Sequence, residues 1–236
     1  IPLQRMTKCP PKDHNCPMPS HANPASRHFT ATDRKILALD QLLKSAAGPH
    51  AAARPYPATD LAETVTDPAA KRKIAGLMRV NHAGEICAQA LYHGQAATAK
   101  LSGVRESMTQ AAQEEVDHLA WCAQRLKELN AAPSLLDPLW YAGSFAIGSI
   151  AGLKGDKESL GFVAETEKQV VAHLHSHLKQ LPQEDLRTRA ILEQMAADEA
   201  RHGSDALHQG GKLPPKPIRG MMKLVAKLMT ASARYI

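Results

Sequence analysis

Glu115-Val116-Asp117-His118 and Glu199-Ala200-Arg201-His202 are two copies of one short pattern, Glu-x-x-His. Each copy lies in a long run without proline, which predicts a helix. Residues three apart in a helix lie on the same face, about one turn apart. The carboxylate and the imidazole of each copy can therefore bind one metal ion from the same side.

A further glutamate precedes each copy at a similar distance. Glu85 lies 30 residues before Glu115, and Glu167 lies 32 residues before Glu199. Each of the four glutamates falls on its own helical run, so the chain reads as a duplicated half. This set of ligands is typical of carboxylate-bridged di-iron and di-manganese sites in ferritin-like four-helix bundles.

The predicted fold is all-α, a ferritin-like four-helix bundle with additional short N-terminal and C-terminal amphipathic helices. Aromatic residues make up only 4% of the chain, which favours helices over sheets. Residues 1–28 are predicted to be a disordered tail, 29–66 a short helix and a linker, 67–210 the bundle, and 211–236 a basic amphipathic helix. The bundle helices are predicted from Asp67 to about Leu101, Val104 to Asn130, Asp156 to Pro182, and Gln183 to Gly210.

The predicted ligands interrupt apolar helix faces. Glu115 shares its face with Leu119 and Leu126, where an unpaired carboxylate would cost several kcal/mol. One alternative is that the glutamates and histidines lie at the edge of the apolar face and reach solvent. Another is that they form buried hydrogen-bonded pairs. The mirrored order of all six residues favours metal binding: Glu85, Glu115, His118, Glu167, Glu199 and His202.

Four carboxylates and two imidazoles balance the charge of two divalent cations and suit Fe, Mn or Zn rather than Cu(I). Six ligands also leave coordination positions open, as the activation of O₂ requires. Asp198 is a candidate acceptor for the Nδ1–H of a ligand histidine, although a solvated carboxylate is an equal alternative. His82 and His173 are candidates for the same outer layer or for proton delivery; the alternative for each is a partly buried histidine without such a role.

An uncharged stretch runs from 139 to 153 inside the crossover 135–153. As a helix it would span about 22 Å, which is less than the roughly 30 Å needed to cross a bilayer. It is predicted either as a buried crossover or as an interfacial segment with Trp140 and Tyr141 at the lipid headgroups. Phe145 is a further predicted membrane contact.

The excess positive charge is confined to the C-terminus. Six of the 29 Lys and Arg residues lie within 211–236, and the remaining 23 match the 23 Asp and Glu residues. The Lys223 and Lys227 side chains form part of a basic stripe, which predicts contact with an anionic membrane surface rather than with nucleic acid. The alternative is a fifth helix packed on the bundle with its cations in solvent. The four cysteines form no CxxC pair, which indicates a reducing compartment without disulfides.

Several motifs together resemble the demethoxyubiquinone hydroxylase family of ubiquinone biosynthesis over about residues 30–236. They are Asn81-His82-Ala83-Gly84-Glu85, Glu115-x-x-His118-Leu119, Pro138-Leu139-Trp140, the spacing of Glu167 and His173, and Asp198-Glu199-x-x-His202. Some family members have a tyrosine at the position of Leu174 and a second histidine at that of Gly203. The first difference puts in doubt a redox role for that tyrosine.

The resemblance implies a di-iron monooxygenase that hydroxylates the ring of a demethoxyubiquinol-type quinol with an isoprenoid tail. It implies two iron ions per chain, O₂ as co-substrate and an external reductant such as NADH. The six residues would be ligands, with Glu115 and Glu199 bridging and Glu85 and Glu167 terminal. The enzyme would lie peripherally on the cytoplasmic face of a bacterial membrane, or on the matrix side of the mitochondrial inner membrane. Expected partners are other ubiquinone-biosynthesis proteins and a second copy of the chain.

Two other classes of function share parts of this pattern. A ferritin-like ferroxidase or a rubrerythrin-like peroxidase would use the same ligands, but rubrerythrin adds a CxxC pair, and a storage ferritin would not need the stretch 139–153. A non-enzymatic membrane-binding helical protein would carry the Glu-x-x-His pairs by chance. Metal content after purification without a chelator separates this last class from the others.

Overall fold

The computed structural model describes residues 51–236 and, before them, Thr30, Asp33, Ile36 and Asp40. The chain divides into two units after Leu37, and all the helices described below belong to the second unit. The predicted tail at 1–28 lies outside the described residues, and so does most of the predicted short helix that follows it.

Six α-helices account for most of the described residues from 51 onward, and no described residue lies in a strand. They are α1 (Pro68–Thr98), α2 (Ser102–Glu128), α3 (Asp137–Lys154), α4 (Asp156–Leu178), α5 (Leu186–His208) and α6 (Lys216–Ala233). The prediction of an all-α bundle with an additional C-terminal helix is confirmed for this part of the chain.

Aspartate side chains fix the starts of two bundle helices. Asp67 precedes Pro68 and accepts a hydrogen bond from a backbone N–H in the first turn of α1, as the sequence predicts. Asp185 caps α5 in the same way. The start of α5 was predicted at Gln183 but lies at Leu186, because the cap is Asp185.

All four bundle helices end earlier than predicted, α1 at Thr98 and α5 at His208. α2 ends at Glu128, since Asn130 adopts left-handed backbone with φ of 54° and closes the helix terminus. α4 ends at Leu178 instead of Pro182, because proline disfavours helical backbone at the residue before it.

The two largest apolar clusters of the described core lie toward opposite ends of the bundle. The first includes Ile74, Leu77, Leu126, Leu174 and Leu192; the second includes Tyr92, Met108, Leu160, Val163 and Ala206. Helices α1, α2, α4 and α5 contribute to both clusters. On each of these helices the predicted ligands lie between its contributions to the two clusters, so the fold places a polar layer in the middle of the core.

The stretch 139–153 is helical and lies within α3, which packs along α1. The backbones of α1 and α3 are in direct contact. A Cβ atom on Gly94 would overlap the carbonyl of Phe145, and a Cβ atom on Gly148 would overlap the carbonyl of Leu91. The face of α3 toward α1 is therefore buried. The opposite face is exposed and apolar, with exposures of 64% for Leu139, 59% for Ile150 and 67% for Leu153.

The basic C-terminal helix α6 is attached to α1 at its last turn. Met229 and Ala233 pack on Val80 and Ala83, and Arg79 donates a hydrogen bond to the carbonyl of Arg234 at 2.9 Å. Much of the rest of α6 is exposed. Among the described residues, no helix combines the length and hydropathy needed to cross a membrane.

Residues 51–66 lie along the bundle rather than away from it. Ala58 and Val65 are buried in the first apolar cluster. The hydroxyl of Tyr56 donates to Glu128 of α2 at 3.2 Å. The segment that was predicted as a linker is therefore packed against the helices that carry the Glu-x-x-His pairs.

Candidate metal centre

Four of the predicted ligands form one compact, buried group. Glu85, Glu115, His118 and Glu199 each offer a ligand atom, and these atoms lie within 4.8 Å of one another. Each of the four is at most 2% exposed. They come from α1, α2 and α5, so a group that could hold a metal ion is assembled from three helices.

The two remaining predicted ligands adjoin this group. His202 Nδ1 lies 3.0 Å from Glu199 Oε2 and 3.6 Å from Glu115 Oε1. Glu167 of α4 is 2% exposed, and its Oε1 accepts a hydrogen bond from the Tyr92 hydroxyl at 2.7 Å. All six residues therefore come together in the polar layer of the core.

The two histidines have the same orientation. The Nδ1 atom of His118 lies 2.9 Å from Glu199 Oε1 and 3.0 Å from Glu115 Oε2, so both Nδ1 atoms face the carboxylates. The Nε2 atoms face outward: that of His118 lies 3.1 Å from Asp198, and that of His202 lies 2.7 Å from Glu114. Asp198 was predicted to accept from Nδ1; this detail is wrong, because Nδ1 points into the cluster.

The sequence analysis missed Glu114, although a signal for it was present. An acidic residue directly precedes each Glu-x-x-His pair, Glu114 before Glu115 and Asp198 before Glu199. In the structure each acid contacts the histidine of the other helix rather than that of its own. The outer contacts are therefore exchanged between α2 and α5.

The charges of the buried group shift its ionisation. Burial and the charge of Glu199 raise the pKa of Glu115 and of Glu167 well above the usual value. Although burial opposes it, neighbouring carboxylates raise the pKa of His202 to about 9 and that of His118 well above its usual value. Hydrogen bonds from both histidines, again against burial, lower the pKa of Glu199 to about 2. Protons thus balance part of the negative charge.

The donor set fits divalent metal ions. Glu115 Oε1 is buried and has no hydrogen-bond partner among the described residues. Such an atom costs about 1–3 kcal/mol unless a partner is supplied. A cation between the helices would supply one, and two divalent cations would replace protons in balancing the four carboxylates. Oxygen and imidazole donors in this number suit iron, manganese or zinc.

His82 and His173, the other two residues predicted to surround the ligands, lie at two separate places. His82 contacts Asp137 at 3.1 Å between Nδ1 and Oδ2, which ties α1 to the start of α3. The ring of His173 lies 4.0 Å from that of His177, and burial lowers the pKa of His173. Roles for His82 and His173 in proton delivery stay predictions.

An apolar cavity of about 470 Å³ lies beside the metal-ligand group. Helices α1, α3, α4 and α6 form its walls. Its lining includes Gly84, Glu85, Leu91, Phe162, His173 and Val225. Glu85 therefore belongs both to the buried group and to the wall of a cavity whose lining is otherwise mostly apolar.

The predicted membrane-contact residues fall into three sets: exposed, half-buried and buried. Lys223 and Lys227 are exposed at the rim of the cavity, and Trp140 and Phe145 are half-buried. The prediction for Tyr141 is wrong. Its ring is 1% exposed, and its hydroxyl lies 2.8 Å from His93 Nδ1, because the helical period turns this residue of α3 toward α1.

The chain is similar in sequence to proteins that are already known. Residues 72–233 match the family model described as "Ubiquinone biosynthesis protein COQ7". A 3-demethoxyubiquinol 3-hydroxylase of Acinetobacter baylyi is 57% identical over 204 residues, covering 85% of this chain and 95% of the relative. Proteins of the same name from Legionella pneumophila and Azotobacter vinelandii are 57% and 56% identical over 183 and 199 residues. These matches cover 78% and 84% of this chain, and 86% and 91% of the relatives.

Proposed function

The chain belongs to the family of the ubiquinone biosynthesis protein COQ7, and on that premise we propose that it hydroxylates the ring of a demethoxyubiquinol-type quinol with O₂. The resemblance noted in the sequence is confirmed. One observation supports the proposal for this chain: the wall of an apolar cavity includes Glu85, a member of the buried Glu and His group. A lipid-soluble ring can therefore reach the site where a metal would lie.

The metal in this proposal is iron, two ions per chain. Glu85, Glu115, His118, Glu167, Glu199 and His202 would hold it. Bound iron would supply the redox chemistry that joins O₂ to a ring carbon. The overall reaction replaces a ring C–H by C–OH, and the second oxygen atom leaves as water with two protons and two electrons. An external reductant such as NADH supplies the electrons.

The protein's own groups orient the ligands and the substrate. Asp198 and Glu114 hold the outer nitrogens of the histidines, so that each Nδ1 faces inward. The Tyr92 hydroxyl donates a hydrogen bond to Glu167. His173 lines the cavity. Its Nε2 atom is buried and has no hydrogen-bond partner among the described residues. In this proposal it accepts a hydrogen bond from a quinol hydroxyl.

The direct test is oxygen incorporation. Purified chain loaded with Fe²⁺ is mixed with a short-tailed demethoxyquinol, NADH or another reductant, and isotopically labelled O₂. The expected product carries one labelled oxygen on the ring by mass spectrometry. Iron that is oxidised and stored while the quinol stays unchanged would favour the ferroxidase alternative instead.

Metal content tests the ligand assignment. We expect about two iron ions per wild-type chain and one or none after Glu199→Ala, because its carboxylate adjoins both histidines. Elemental analysis of protein purified without chelator measures this. Glu193→Ala is the matched control, since Glu193 is an exposed glutamate of the same helix. Full iron content in Glu199→Ala would contradict the assignment.

The proposed site of action is the surface of a membrane, with the chain bound peripherally. The cavity rim carries exposed apolar side chains of α6, Met221 and Val225, and α3 contributes Ile147. Leu224 and Leu228 extend the exposed stripe of α6, with exposures of 68% and 64%. An isoprenoid tail favours lipid by about 0.8 kcal/mol per CH₂. The ring can enter the cavity while the tail stays in the bilayer.

Other ubiquinone-biosynthesis proteins and a second copy of the chain stay predicted partners.

Replacing both exposed leucines tests this orientation. Leu224→Asp combined with Leu228→Asp should weaken binding to anionic vesicles roughly 100-fold, since each buried leucine contributes about 1.5 kcal/mol or more. The fold should persist, because both side chains lie in solvent. Co-sedimentation with vesicles measures the change. Leu207→Asp, an exposed leucine on α5, is the control; equal binding by all three proteins would dismiss α6 as the contact.

A further inference from the structure

Arg54 connects the N-terminal segment to the outer side of the metal centre. Its Nε donates to Asp117 Oδ2 at 2.7 Å, and its Nη1 donates to Asp198 Oδ2 at 2.8 Å. The backbone N–H of Ala53 donates to the other oxygen of Asp117 at 2.7 Å. The guanidinium carbon also lies 4.7 Å from the centre of the Trp121 ring. Three contacts of the Arg54 side chain, together with the backbone contact of Ala53, thus fix this arginine over α2 and α5.

The group that Arg54 holds is the one that orients His118. Asp198 Oδ2 lies 3.1 Å from His118 Nε2 and is the same oxygen that Arg54 contacts. When Nδ1 binds a metal, Nε2 carries the proton and donates it to this carboxylate. Arg54 itself lies 3.3 Å from Nε2, but it has no acceptor atom to offer. Its effect on His118 must pass through Asp198.

The second histidine is held differently. Glu114 contacts His202 Nε2 and is paired with Arg201, a residue of α5 whose side chain is 48% exposed. Both members of that pair come from the bundle helices. Arg201 also lies 3.8 Å from Asp198 Oδ1, but the arginine that donates a hydrogen bond to Asp198 is Arg54, which comes from a segment outside the bundle helices. Arg54 also lies outside residues 72–233, which match the family model.

We propose that Arg54 is a positioning residue of the metal centre, which holds Asp198 so that His118 presents Nδ1 to the metal. The N-terminal segment is then part of the metal centre, and it acts on the metal ion that His118 would bind. Loss of Arg54 removes the ion pair at Asp198 Oδ2, the oxygen that faces His118. Asp198 is then held only through Oδ1, by Gln194 at 3.2 Å, so His118 loses part of its fixed orientation. The inference rests on the metal centre proposed above.

The test uses Co²⁺ as a probe, since its visible absorption reports ligand geometry without turnover. Arg54→Gln should lower the affinity of one of two Co²⁺ sites by about 10–100-fold, the usual cost of losing a residue that orients a ligand. The other site should keep its affinity. Arg54→Lys keeps the positive charge but cannot contact Asp117 and Asp198 at the same time, as the guanidinium does. Its Co²⁺ affinity should therefore lie between those of the wild type and Arg54→Gln.

A double-mutant cycle separates positioning from mere packing. Because Arg54 acts through Asp198, Arg54→Gln should add little to the loss of affinity caused by Asp198→Asn. Additive losses would overturn the inference. Arg79→Gln is the control. It removes an arginine that donates to the backbone carbonyls of Ala132 and Arg234, and it should leave both Co²⁺ affinities unchanged.

The outcomes distinguish this inference from the proposed function. A wild-type chain that binds no Co²⁺ pair would refute the metal centre itself. Two tight sites in wild type and two equally tight sites in Arg54→Gln would refute only the role of Arg54. Unfolding curves of the metal-free variants show whether each is folded. A drop in stability with unchanged affinity would mean that Arg54 only anchors the segment.

Discussion

Gly84→Leu is expected to leave the fold and the iron content intact while quinol hydroxylation falls at least about 100-fold, the loss that follows when substrate is displaced by about 1 Å. Gly84 lines the cavity next to Glu85, and a Cβ atom there would meet no atom within 4 Å. The leucine side chain therefore grows into the space proposed for the quinol ring. Leucine also has a higher helix propensity than glycine, so α1 should not be weakened.

A size series and a control make this result specific. Gly84→Ala should lose less activity than Gly84→Leu, because a methyl group fills less of the cavity. Gly103→Leu is the matched control, since Gly103 is an exposed helical glycine whose Cβ would also meet nothing, and it is not among the lining residues. Product analysis, iron content and thermal unfolding are measured together. Turnover of Gly84→Leu within twofold of the parent would mean that the ring binds elsewhere.

Arg125→Met is expected to lower the free energy of unfolding by about 3–5 kcal/mol, the usual effect of breaking a buried ion pair. The Arg125 side chain is completely buried. It donates to Thr188 at 2.8 Å, and it pairs with Asp185 at 3.1 Å and with Glu63 of the N-terminal segment. Without it, the carboxylate of Asp185 stays buried and loses its ion-pair partner.

Chemical denaturation of the metal-free chain measures this loss, and the melting temperature should fall by roughly 10 °C. Arg72→Met, at an exposed position of α1, should change the free energy of unfolding by about 0.5 kcal/mol at most. Adding Asp185→Asn to Arg125→Met should restore part of the stability, because the unpaired charge is removed. A single variant as stable as the parent would show that water reaches this ion pair.

The cluster of six predicted ligands could be foreseen from the sequence because its determinants are local. A spacing of three residues places Glu115 and His118 on one helical face wherever that helix packs. The repeated order of the second half then pairs them with Glu199 and His202. The start of α1 was equally local, since the side chain of Asp67 caps it and Pro68 occupies its first position.

Other features depended on which surfaces meet. Tyr141 belongs to an apolar, uncharged stretch, and only the close packing of α3 on α1 through glycines decides that its ring is buried. Glu114 stands beside a predicted ligand, but its contact is to the histidine of another helix. A one-dimensional pattern carries no information about such exchanged contacts.

The sequence by itself determined the helical fold, the family and the chemical character of the centre, because helical periodicity and the Glu-x-x-His repeats are properties of neighbouring residues. The tertiary structure alone decided the cavity at Glu85 and the placement of Arg54 on Asp198, which is 144 residues away in the chain. The physical reason is that long-range contacts follow from the packing of whole helices, whereas spacing along the chain fixes only the face on which a residue lies.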